Sequence, residues 1–292
     1  MSQITASEQS THRQDDAPPG ADVPASSQGR QPRRLRVSRT TLLVRAAQLV
    51  LVAVWLVAWD LTARNQWITP VLAKSPKQSW SYLVAAVENG ELWSNAQATM
   101  LAVVIAWVLA STVGVVVGIT LGLLPTFERI LAPFLDAANA MPRIALAPFF
   151  IVAFGIGVQA KVALASTLVF FIVLSASRAG VRSADAEWLR LSAVLGAKKR
   201  HLFWKVMLPV ATPAILASLR LGLIYALLGV VGSELIAAED GLGQLIAEYS
   251  SLFRLEAVYA ILLLLAGIAV VLNQVMAAIE RRLLRWQPPA DH

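Results

Sequence analysis

Cysteine is absent from the 292 residues, histidine occurs three times, and only 15% of the chain is charged. Without cysteine there is no disulfide framework, no thiol nucleophile and no thiolate metal site. His12, His201 and His292 are scattered, and none belongs to an H-E-x-x-H or similar ligand pattern. No G-x4-G-K-[ST] phosphate loop occurs, so nucleotide binding by that route is not expected. Gly241-Leu242-Gly243 lacks the preceding strand that a dinucleotide site needs and reads as an outer-loop turn. A membrane enzyme would need His, Asp or Glu clustered near one face, and no such cluster can be read. The expectation is therefore no catalysis, no cofactor and no metal. Scarce charge also argues against a water-soluble globule, whose surface it could not cover. With 57% hydrophobic residues and a mean hydropathy of +0.62, lipid is the natural solvent.

Long apolar runs are what the chain does have. A helix needs roughly 20 residues to cross the hydrocarbon core, and the pattern predicts an all-α integral membrane protein of about six spans. These are placed near Ala46–Trp59, within the uncharged stretch Leu92–Phe127, at Ile144–Val158, Val162–Ser177, Pro213–Ile236 and Ala257–Ile279. Residues 1–40, rich in Ser, Gln, Pro, Asp and Arg, read as a disordered basic leader. Residues 41–286 form the membrane domain and 287–292 a short tail. Between the first two spans, Ser79–Val87 suggests a short interfacial helix, and Trp67, Trp80 and Trp93 suit a membrane boundary.

Eighteen lysines and arginines fall in segments that are cytoplasmic if the N-terminus is inside, against five in the opposite segments. The count runs from Arg30: the six from Arg30 to Arg45, the pair Arg129 and Arg143, and the seven from Arg178 to Lys205 dominate it. This bias predicts cytoplasmic N- and C-termini. It also accounts for the net charge of +7 and pI near 10.1 by topology and contact with lipid, without nucleic acid.

The basic loop after the fourth expected span reads as two short helices joined at Gly196. In the first, Ala186, Leu189 and Ala193 share one side, while Asp185, Glu187 and Arg190 are more exposed. Leu195, Gly196, Ala197 and Lys198 make the junction. The second piece is expected to break at Pro209 and Pro213 before the fifth span. Charge alone would make this a topology anchor.

Elsewhere, Gly114, Gly118 and Gly122 recur every four residues on one face, a pattern that lets helices approach closely in lipid. Phe149, Phe150, Phe170 and Phe171 read as packing aromatics, with Phe149 and Phe150 also candidates for a solute path. Ser233-Glu234 stands near the end of the fifth span. Glu234 is either hydrated at the outer interface, a gate, or a structural pair, with Arg254 as a candidate partner. Arg220 interrupts the same span and has three readings: snorkelling, pairing with another helix, or meeting an anionic solute.

Gly196, nine residues, then Val206-Met207-Leu208-Pro209 resembles the G-x9-I-x-L-P core of the EAA loop of binding-protein-dependent ABC importer permeases. The chain departs at the loop's opening, where Arg190-Leu191-Ser192 stands in place of Glu-Ala-Ala. From about Ser79 to Trp286 the chain resembles the nitrate, sulfonate, taurine and thiamine-precursor permeases. The stretches that carry this are Asn89–Trp93, Arg143–Phe150, Phe154–Gly157 with Lys161, Ser233-Glu234, Asp240–Gly243 and Arg281–Trp286. The resemblance implies a type I importer permease fold in the bacterial inner membrane. It implies a homodimer, partnered by ABC ATPase subunits and an extracytoplasmic solute-binding protein. The segment Asp185–Lys198, with Leu208 and Pro209, would then be the coupling helix region that docks on the ATPase. The cargo implied is a small anionic or heteroaromatic solute. An ion-gradient-driven carrier or channel is the alternative. It calls for midplane charges or paired repeats, and of these only Arg220 and Glu234 can be read from the sequence.

Overall fold

The computed structural model describes residues 39–65, 69, 72–184, 192, 194 and 196–286. The chain divides into Met1–Leu51, whose described part is the first half of helix α1, and Val52–His292, which holds the rest. Every regular element among the described residues is helical. They are α1 (Arg39–Arg64), α2 (Pro76–Glu88), α3 (Glu91–Leu123), α4 (Pro125–Ala140) and a 3-10 turn (Arg143–Leu146). α5 (Ala147–Phe154), α6 (Val158–Arg182) and α7 (Lys199–Leu202) follow. After a π turn (Phe203–Met207) come α8 (Leu208–Ile236), α9 (Leu242–Ser251) and α10 (Leu255–Leu283). Residues 1–38 of the expected leader and the expected tail lie outside the described residues, while Arg39 and Thr40, expected in the leader, open helix α1.

Local chemistry sets the helix starts. Ser75 caps α2 through a capping box: its hydroxyl accepts from the Gln78 amide at 3.3 Å, and Gln78 Oε1 accepts from the Ser75 amide at 3.0 Å. Pro76 follows, where a missing amide costs nothing. Gly90 at φ +75° then turns the chain sharply from α2 into α3.

The core is built from small side chains. Gly114, Gly118 and Gly122 of α3 press on α6, and a Cβ at Gly118 would lie 2.6 Å from the Leu174 carbonyl oxygen and 2.7 Å from Ser177 Cβ. Across α6, Gly229 of α8 would bring a Cβ to 2.7 Å from Ala165 Cα. Between these faces sit Ala102, Val103, Ala106, Val169, Val173 and Ala226, all fully buried. The Trp107 indole N–H donates to the Leu219 carbonyl at 2.9 Å, tying α3 to α8. In lipid, where burial of apolar area gains little, such close contact supplies the association energy.

The order of these contacts fixes helix direction. Gly114, Gly118 and Gly122 meet Val173, Leu174 and Val181 in rising sequence, so α3 and α6 run parallel. Gly229 meets Ala165, Gly222 meets Val169 and Gly180 meets Ala211, so α8 runs antiparallel to α6. Two parallel crossings require a return between them, and the chain available is α4, the 3-10 turn and α5. These two helical pieces are bent by 85° at their junction. Five single helices long and apolar enough to span, with this bent pair as one more, make six crossings.

The third crossing is therefore not the Ile144–Val158 segment expected from hydropathy. It runs from Pro125 to Phe154 and is broken at Met141-Pro142, because proline cannot continue the α4 hydrogen-bond ladder. Nor do Pro209 and Pro213 interrupt the fifth. The helical run is continuous over Arg200–Ile236. A π turn, in which the Leu208 amide bonds the Phe203 carbonyl, places Pro209 in the first turn of α8, where it needs no donor. Beside Pro213, the Thr212 hydroxyl donates to the Leu208 carbonyl at 2.7 Å.

Gly118→Val should destabilise the fold by about 1–3 kcal/mol, the cost of forcing overpacked contacts. Gly267, which has nothing within 4 Å of a built Cβ, should tolerate alanine. Melting temperatures of the two purified variants in detergent check this.

Candidate functional site

Glu234 lies one turn before the end of α8 and is 1% exposed; Lys161, one turn into α6, is fully buried. Their side chains meet at 3.2 Å. Each is otherwise satisfied. Lys161 Nζ also donates to the Asp240 carbonyl at 2.6 Å and to Asp240 Oδ1 at 2.5 Å, which uses its three protons. The Glu234 carboxylate accepts from the Thr99 hydroxyl at 3.0 Å and from the Gly243 amide at 2.9 Å. Thr99 in turn accepts from the Leu242 amide at 2.9 Å, and Asn95 Oδ1 from the Gly241 amide at 2.7 Å. Residues of α3, α6, α8 and the start of α9 thus converge on one carboxylate.

The turn Asp240–Gly243 is shaped for this. Gly241 takes φ +115°, and a Cβ there would overlap the Glu234 carboxylate. At Gly243 it would lie 2.6 Å from both Glu234 Cβ and the Val231 carbonyl oxygen. The outer-loop turn read from Gly241-Leu242-Gly243 is thus a carboxylate cradle. Arg254 is not the partner of Glu234. It lies over the rings of Tyr249 at 5.0 Å and Tyr82 at 5.8 Å, with Glu256 at 3.9 Å. Tyr249 donates to Glu91 at 2.5 Å; burial first, and then this carboxylate, push its hydroxyl above the usual range, so it stays a donor.

A second buried carboxylate, Glu128 of α4, faces Arg178 at 3.4 Å and Arg182, both on the last turns of α6. Arg220 forms a third node: Nε donates to Asn273 Oδ1 at 2.7 Å, and Glu280 lies at 3.4 Å, both on α10. Of its three readings, pairing with another helix is the arrangement present. Ser233 is buried beside Glu234, and its hydroxyl has no partner among the described residues. Phe149 is 66% exposed, while Phe150 is half-buried between Phe149 and Phe154.

The expected coupling residues Asp185, Glu187, Leu189, Arg190, Ala193 and Leu195 lie outside the described residues. Gly196 takes φ +79°, and the Ala197 amide donates to the Ser192 carbonyl at 3.0 Å, a bond that closes the turn where a helix end was expected. Lys198 is exposed, and Leu208 and Pro209 open α8. No group of three or more His, Cys, Asp or Glu that could hold a metal occurs among the described residues. Sequence reasoning missed Lys161, Thr99 and Glu128 as partners. The available signal was a lysine, a threonine and a glutamate at the rims of apolar runs, which read equally well as solvated ends.

Five apolar helices long enough to cross a membrane, a bent pair as a sixth crossing, glycine-faced contacts and buried ionic nodes make this an all-helical membrane protein. Residues 110–285 match the family described as the binding-protein-dependent transport system inner membrane component, and the chain belongs to that family. It is 32% identical over 239 residues to the taurine transport system permease protein TauC of Escherichia coli (strain K12), covering 80% of this chain and 87% of that one. The riboflavin transport system permease protein RibX of Chloroflexus aurantiacus is 31% identical over 239 residues, covering 82% and 88%. The putative aliphatic sulfonates transport permease protein SsuC of Bacillus subtilis (strain 168) is 28% identical over 238 residues, covering 82% and 85%. The inward-facing MetNI methionine ABC transporter shares the fold at 20% identity, with a TM-score of 0.54 over 72% of this chain and 99% of that one. The chain is an ABC importer permease with the type I fold.

Lys161→Met leaves Glu234 charged and buried with its main partner gone, which should cost about 3–5 kcal/mol. Adding Glu234→Gln should recover part of that loss. Thermal melts of the single and double variants read the coupling.

Proposed function

We propose that this chain is the membrane subunit of an ATP-driven importer, working as a homodimer with two ATPase subunits and an outer solute-binding protein. Its cargo is a small anionic or heteroaromatic solute of the sulfonate, nitrate, taurine, aromatic-acid or pyrimidine class. The N- and C-termini face the cytoplasm. The names of the taurine and aliphatic sulfonate relatives support the cargo class, and the placement of lysine and arginine supports the orientation.

The observation that carries this reading is the unbroken helical run Arg200–Ile236. At 1.5 Å per residue it is about 55 Å long. It begins in the Gly196-x9-Val206-Met207-Leu208-Pro209 segment and ends at Ile236, just past Glu234. A displacement applied at the cytoplasmic loop would therefore reach the outer ionic node through one continuous helical run. α6, joined to α8 along its length and to α4 through Glu128, would move with it. Asp185, Glu187, Leu189, Arg190 and Ala193 are the proposed ATPase contacts, with Leu195, Gly196, Ala197 and Lys198 forming the junction to that run. Phe149, Phe150 and Ser233 are proposed on the path side, with Glu234 as the anchor of the outer gate.

A proline costs an interior helical position about 3 kcal/mol or more, so Ala193→Pro should unwind the docking helix. The expected outcome is a normal level of protein in the membrane and ATP hydrolysis that no longer drives uptake. Vesicles holding the permease, its ATPase and a saturating binding protein measure both quantities together. Solute uptake by the permease alone under an ion gradient would replace this reading with a secondary carrier.

A further inference from the structure

The buried and half-buried charges among the described residues are nearly all matched. Lys161 faces Glu234 and Asp240, Arg178 faces Glu128, Arg220 faces Glu280, and Lys74 faces Glu256. Among the described residues, Arg143 is the half-buried cation with no carboxylate within ion-pair distance. One terminal nitrogen, Nη2, donates to the backbone and side-chain oxygens of Asn139, one turn back. Its Nε–H is buried without a partner among the described residues. The guanidinium lies 4.8 Å over the ring of Phe171.

Its contact with Phe171 places this charge partway along α6, away from both helix ends. Phe171 is thirteen residues from the start of α6 at Val158 and eleven from its end at Arg182. At 1.5 Å per residue, it stands about 20 Å from one end of the crossing and 16 Å from the other. Arg143 also occupies the elbow between α4 and α5, the break in the third crossing, where the chain bends by 85°. It is thus no cytoplasmic loop residue, as its place among the basic segments implied. An unpaired cation partway along a crossing is costly and marks a candidate functional site.

We propose that Arg143 is the anion-recognising residue of the solute path, taking a sulfonate or carboxylate group through its unused N–H donors while the neighbouring rings take an apolar or flat body. This rests on the importer reading above and sharpens its cargo to oxyanions. The chemistry matches the residue: a guanidinium presents a planar fork to an oxyanion, and its hydration is weaker than that of an ammonium. Phe171 beneath it, with Phe170 edge-on to Phe171, supplies the apolar wall. Phe171 and Phe170 also border a cleft of about 270 Å³ with Ser166, whose buried hydroxyl has no partner among the described residues.

The test uses the purified full chain in nanodiscs, titrated with benzenesulfonate, benzoate and the neutral benzenesulfonamide, with melting temperature as the readout. Both anions should raise the melting temperature and the sulfonamide should not. In Arg143→Gln the anion affinity should fall about ten- to hundredfold, the loss expected for a charge-assisted hydrogen bond. Arg143→Lys, which keeps charge without the fork, should fall between. Arg129→Gln, an exposed cation at the start of α4, should leave the titration unchanged. No anion effect in the unmodified chain, an unchanged titration in Arg143→Gln, or an equal loss in Arg129→Gln would each overturn the assignment. ATP-driven uptake is measured separately in the assembled transporter, so the importer reading and the role of Arg143 fail independently.

Discussion

A carboxylate and an ammonium removed from water lose several kcal/mol each, and their attraction repays that only when every remaining donor and acceptor is also met. At Lys161 and Glu234 this condition is fulfilled in full. Both oxygens of the acid and all three protons of the base have partners, drawn from α3, α6, α8 and the loop that opens α9. Because removal of Lys161 or Glu234 strands a buried charge, and loss of a neutral partner leaves an unmet acceptor, the four segments are held to one relative position at that end of the bundle. The glycines of Asp240–Gly243 follow from it, since only a missing Cβ lets the turn close on the carboxylate.

From that anchor the rest of the bundle is arranged by close backbone approach. α6 is gripped on one side by the glycine face of α3 and on the other by Gly222 and Gly229 of α8. At its far end Glu128 clamps Arg178 and Arg182, so α4 is tied to the turn that leads into the basic loop. The two ionic nodes thus bracket α6. Between them the contacts are small and apolar, which suits helices that slide or rock as units. Arg143 is the exception, a charge partway along a crossing and away from either bracket.

Much of the fold was legible because lipid imposes one strong rule: backbone polar groups must be satisfied within the span, so long uncharged runs become helices. Five crossings were readable on that ground. The third was misplaced because its halves, Pro125–Ala140 and Arg143–Phe154, are each too short or too mixed to pass as a span, and a window of hydropathy cannot see an 85° bend. The prolines at 209 and 213 misled for a related reason. Their effect depends on whether an amide is needed at that point, and a π turn upstream removed part of the need. In the candidate site, Glu234 could be singled out as an acid near a span end, but its partner is 73 residues away. Hydropathy carries no information on which faces of two helices meet.

What the sequence by itself determined is therefore the material and the class: a lipid-solvated helical chain, its basic loops, its glycine-faced third helix and the motifs shared with importer permeases. These are local properties, set by composition and spacing along one strand. The tertiary structure alone decided that Lys161 answers Glu234, that Glu128 holds two arginines, and that Arg143 stands over Phe171 partway along α6. The energy of a buried charge is set by what surrounds it in space, and those neighbours come from helices far apart in the chain.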